Sequence, residues 1–152
     1  MSDTYMTPSC QKYLLLLRLL LISAGVAWGV SVAGLVLPWA MVEKELRGLG
    51  AGTVDDVMVQ YWLKMAAAVY TALGCFYVWV AIRPVRYRAV IGLIGWLHVI
   101  LGAVFLVNGQ MLGVGAIPLY VDVGFCFCVG LGIVAVNGRL RDCFDSEARR
   151  RV

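Results

Sequence analysis

Four long apolar runs, parted by short breaks rich in arginine, proline or glycine, set the plan of the chain. A hydrocarbon core of about 30 Å is crossed by about 20 helical residues. Runs of that length extend from about Leu19 to Trp39, Tyr61 to Ile82, Ala89 to Leu112 and Ile117 to Val136. They predict an all-α fold, a polytopic membrane four-helix bundle over 19–136, preceded by an N-terminal segment 1–18 and followed by a basic tail 137–152. Spans two and three are joined by Arg83-Pro84-Val85-Arg86-Tyr87-Arg88, which predicts an antiparallel hairpin because proline cannot continue the helix and the arginines cannot cross lipid. Gly113-Val114-Gly115 predicts a second turn. The sizeable break is the outer loop 42–60, where Glu43, Lys44, Glu45, Arg47, Asp55 and Asp56 surround Gly48, Gly50 and Gly52; it reads as a solvated linker with room for one short interfacial helix.

Composition narrows the class. Of 152 residues, 62% are apolar and 14% charged, against about 45–50% and about 25% in soluble domains. A soluble chain of this size could not bury so much apolar surface. The basic residues sit in clusters between apolar runs, a pattern that suits membrane orientation and argues against nucleic-acid binding.

Lysine and arginine near span ends stay on the cytoplasmic side. Lys12, Arg18, Arg83, Arg86, Arg88, Arg139, Arg141, Arg149, Arg150 and Arg151 fall on one side, against Lys44, Arg47 and Lys64 on the other. Ten against three predicts both termini in the cytoplasm of an inner-membrane protein. Trp39, Tyr61 and Trp62 mark one interface and Tyr87 the other. Ser31-Val32-Ala33 has the small residues of a signal-peptide cleavage site, but the apolar run continues to Pro38, so the segment reads as a retained span.

Small residues mark faces where helices approach closely in lipid. Gly25 and Gly29 form a G-x-x-x-G, Gly95, Gly102 and Gly109 line one stripe of span three, Ala68 and Ala72 are assigned to packing in span two, and Gly124, Gly130 and Gly132 loosen span four.

Polar residues at membrane depth carry the candidate chemistry, since each costs several kcal/mol unless it faces protein, water or a partner. Asp122 lies near the outer end of span four and Lys64 near that of span two, at depths compatible with a salt bridge if those spans are adjacent. Asn108 and Gln110 close span three at the same level, so the four could converge on a binding pocket. His98, near mid-depth on the glycine stripe, faces protein. It reads as a neutral, hydrogen-bonded side chain; a haem or proton-relay role would need a second histidine or a carboxylate. The chain has one histidine, so bis-histidine haem would require a homodimer.

The five cysteines form no C-x-x-C and no zinc-finger spacing. Cys10 and Cys143 fall in the cytoplasmic segments, where thiols stay reduced, so no disulfide is expected. Cys75, Cys126 and Cys128 read as small buried hydrophobes, with a Cys75–Cys126 contact conceivable. No motif for a hydrolase, metalloprotease or nucleotide site occurs, and no enzyme activity, metal or cofactor is expected.

The basic turn after span two, Gly95-Trp96 and Asn108-Gly109 in span three, and Tyr120-Val121-Asp122-Val123 at the start of span four resemble small bacterial four-helix membrane proteins of the BphX-like and DoxX-like kind, over roughly Tyr61 to Val136. The resemblance implies a fold and a compartment, such families being largely without an assigned activity. The expected function is a non-enzymatic accessory or assembly subunit, contacting the bilayer and a second copy or another membrane protein through its glycine faces. The alternative is a small transporter or channel for a cation or small solute using Asp122.

Overall fold

The computed structural model describes residues 8–50 and 56–150. Gly52 and Asp55 of the outer loop, and Arg151 and Val152 of the tail, lie outside the described residues. The described chain is helical and includes four helices long and apolar enough to cross a membrane, as the hydrophobic pattern predicts.

Helix α1 is described over Pro8–Gly29. It tightens into a 3₁₀ turn at Val30–Val32 and continues as α2 (Ala33–Val36). Leu37 is extended, with φ −74° and ψ 145°, because a residue before proline is forced out of the helical region. Span one therefore stops at Val36, and Trp39 begins α3 (Trp39–Gly48), the short helix for which the outer loop had room. Arg47 pairs with Glu43 one turn back at 2.6 Å. Helix α4 (Val57–Ile82) is capped by Asp56, whose carboxylate accepts the Met58 N–H at 2.7 Å. It starts four residues before the expected Tyr61.

The arginine turn leads to α5 (Arg88–Met111). This helix ends in a Schellman motif: Val114 N–H donates to Gly109 O and Gly113 N–H to Gln110 O, with Gly113 at φ +66°. Helix α6 (Ala116–Arg150) has 35 residues and is about 52 Å long at 1.5 Å per residue. The stretch expected as a separate tail from 137 thus continues the span as helix. Val136 and Leu140 are buried in the core, and that packing extends the helix past the apolar run.

Helix pairing follows the small-residue stripes. α1 packs along α4, α5 along α6, and α1 along α6. The expected hairpin of spans two and three is realised at its turn, while α4 and α5 follow different neighbours. A β-carbon on Gly74 would lie 2.6 Å from Gly25 O and from Gly29 N, so G-x-x-x-G of span one seats on Gly74. Ala68 and Ala72 are exposed; the stripe that packs in α4 is Ala67, Gly74 and Tyr77, one residue round the helix from the expected face. On the other pair, Gly95 meets Gly130 and Val134, Gly102 meets Cys126, and Gly109 meets Leu119. That stripe is as predicted.

The core lies in the half of the bundle nearest the termini. Leu14, Leu17, Leu21 and Ala24 of α1 join Tyr77, Val80 and Ala81 of α4, Ile91 and Ile94 of α5, and Val129, Ile133 and Leu140 of α6. Beyond Ala24, no residue of the 3₁₀ turn or α2 is buried. The α1–α4 and α5–α6 pairs are closed on each other at one end and apart toward the outer loop.

Cys10 and Cys143 form a disulfide, with Cα atoms 6.0 Å apart. This corrects the expectation that no disulfide forms. The bond exists because α6 continues as helix far enough to pass Cys10 on α1, a proximity that a separation of 133 residues conceals.

Candidate functional site

Where the two helix pairs close, one polar cluster is buried. Its centre is His98, 1% exposed and placed on α5 between Gly95 and Gly102. Trp28 Nε1 donates to His98 Nε2 at 3.1 Å, and His98 Nδ1 lies 3.0 Å from Ile94 O. An indole N–H only donates, so Nε2 is the acceptor and Nδ1 carries the proton, donated to the carbonyl one turn back. Both ring nitrogens are used by the neutral ring. Tyr77 stacks obliquely on His98 with centroids 5.3 Å apart, and Tyr70 lies 5.0 Å from the Trp28 ring. The cluster ties α1 to α5 across the bundle, with both ring nitrogens engaged within the chain.

Trp28 and Tyr77 were not singled out by sequence, although a signal existed. Trp28 sits in mid-span, far from the interface where indoles find water, so its N–H required an acceptor within the protein. The lone mid-depth histidine required a donor.

Among the described residues no hydrogen bond or ion pair joins the outer polar residues to one another. Asp122, Lys64, Asn108 and Gln110 are all exposed on the chain. Lys64 is carried by α4, which packs on α1 and not on α6, and no ion pair joins it to Asp122 among the described residues. Asn108 Nδ2 donates to Val104 O of its own helix at 2.9 Å. Cys126 is buried against Gly102, whereas Cys75 and Cys128 are exposed, so the conceivable Cys75–Cys126 contact is not made and two of the three free thiols lie on the surface. Arg18 is half-buried on α1 beside the core.

Comparison with family models, curated proteins and solved structures finds no match.

Proposed function

We propose that the chain is a non-enzymatic accessory or assembly subunit of an inner membrane, with both termini in the cytoplasm, whose outer half is completed by another membrane helix. The observation that carries this reading is the open end of the bundle. There the apolar residues Val30, Val69, Val104 and Val121 are exposed, as apolar residues are elsewhere along the spans, and Asp122 and Lys64, which this reading puts in the outer part of the bilayer, have no ion pair among the described residues. A carboxylate at that depth is costly without a partner or water. The glycine faces are largely consumed within the chain, by Gly25 and Gly74 in one pair and by Gly95, Gly102, Gly109 and Gly130 in the other, while Gly29 and Gly124 face open space. The partner surface is therefore the apolar outer half, with Asp122 as its polar anchor.

A photocrosslinking side chain placed at Val69, Val104 or Val121 in cells tests this. One discrete protein adduct, weakened by Asp122→Asn, is the expected result. Lipid adducts alone at all three positions would reject it. The rival reading, a small cation transporter or channel, rests on the same exposed carboxylate and requires that the chain alone, in proteoliposomes, conduct a cation flux abolished by Asp122→Asn.

A further inference from the structure

We propose that the groove between the start of α5 and the end of the α6 span binds the phosphate of an anionic phospholipid headgroup. The groove encloses about 470 Å³ and is lined on α5 by Arg88, Gly92 and Trp96, and on α6 by Asn137, Gly138 and Arg141. Its floor is open because two glycines face it: a β-carbon on Gly92 would meet Asn137 Nδ2 at 3.5 Å, and one on Gly138 would meet nothing within 4 Å. It lies apart from the His98 cluster and from the outer polar residues, at the end of the bundle where the arginine turn meets α6.

Three features select the ligand. Arg88 and Arg141 both line the opening, and no carboxylate among the described residues is salt-bridged to either. The Arg88 guanidinium is steadied over the Phe144 ring, 5.1 Å from its centroid. Guanidinium forks match the oxygens of a phosphate. Asn137 supplies the second feature. Its Nδ2 makes a long contact of 3.5 Å to Arg88 O, and its Oδ1 is buried with no hydrogen-bond donor. A buried carbonyl oxygen without a donor is costly, and rotation of the amide toward the groove would let a hydroxylated headgroup such as glycerol supply one. The third is the grading along the groove. Trp96 follows Arg88 by two helical turns, about 12 Å deeper into the membrane, and is exposed. Charge at the interface and an aromatic wall below it fit a headgroup continued by an acyl chain, whereas a free phosphate would use the upper end alone. Basic pockets between spans on the cytoplasmic side are the recurrent form of such sites.

Native mass spectrometry of the purified full chain in neutral detergent, titrated with phosphatidylglycerol, phosphatidylcholine and inorganic phosphate, tests the site. Phosphatidylglycerol should bind at one per chain and be preferred to phosphatidylcholine by about tenfold, as two surface guanidinium–phosphate pairs would give. Arg88→Gln with Arg141→Gln should remove that preference, and Arg139→Gln, off the groove on the same helix, should retain it. Gly138→Leu fills the trough without touching either charge and should lower phosphatidylglycerol binding as well, with helicity checked by circular dichroism. If that variant and the double arginine variant both bind like the native chain, the site is elsewhere and the proposal falls. Competition by millimolar inorganic phosphate as strong as that by the lipid would overturn the lipid assignment in favour of a free-phosphate site.

Discussion

Trp28 and His98 show how a single pair of polar atoms can set the relation of two helices in lipid. Each would be an unsatisfied group at mid-depth on its own, and together they satisfy both at 3.1 Å. Interhelical hydrogen bonds of this kind contribute about 0.6 kcal/mol on average and about 1.7 at most in membrane proteins, with a further cost when a buried acceptor is left bare. Trp28→Phe keeps most of the ring volume and strands His98 Nε2. It is expected to lower unfolding stability in detergent by about 1 kcal/mol, while His98→Phe in the Trp28→Phe background should recover part of that loss. A double-mutant cycle on melting temperature measures the coupling. If the two losses are simply additive, the hydrogen bond does not fasten the pairs.

At the scale of elements, partner choice among the helices is decided by where a missing side chain lets backbone meet backbone. Gly74 is the sharpest case. Alanine in a helix interior is normally favoured over glycine by about 1 kcal/mol. Here its β-carbon would meet Gly25 O and Gly29 N at 2.6 Å, main-chain atoms that can yield only by moving the helix, at a strain of about 1–3 kcal/mol. Gly74→Ala is therefore expected to destabilise the chain despite the better helix former. Ala68→Leu, on the exposed face, should change stability by less than about 0.5 kcal/mol. Equilibrium unfolding of the two variants separates the stripe that packs from the one that meets lipid. Equal effects would mean that α1 and α4 pair by another face.

For the whole molecule, the disulfide and the arginine count bear on the same end of the bundle. Cys10–Cys143 clamps α1 to α6 at the end of the bundle nearest the termini, the side to which the basic residues would assign the cytoplasm, where thiols are kept reduced. The two meet in a definite expectation. Purified, air-oxidised protein denatured without reductant should take up alkylating label at Cys75, Cys126 and Cys128 only, and at all five cysteines after reduction. In cells quenched with acid before labelling, a cytoplasmic end should yield five labelled thiols. Three labelled thiols in quenched cells would place the termini on the oxidising side and reverse the proposed orientation.

The hydrophobic pattern by itself determined that there are four spans, where the Arg83–Arg88 and Gly113–Gly115 turns fall, and that Gly95, Gly102 and Gly109 form a packing stripe, because span length and helical period are local properties written in consecutive residues. It also placed His98 against protein. The tertiary structure alone decided which spans are neighbours, and so separated Lys64 from Asp122; it turned α4 by one residue to seat Gly74 rather than Ala68, brought Cys10 to Cys143, and gathered Arg88, Asn137 and Arg141 around one groove. These are relations between segments far apart in the chain. They depend on which backbones fit together, and no window of sequence contains both sides of that fit.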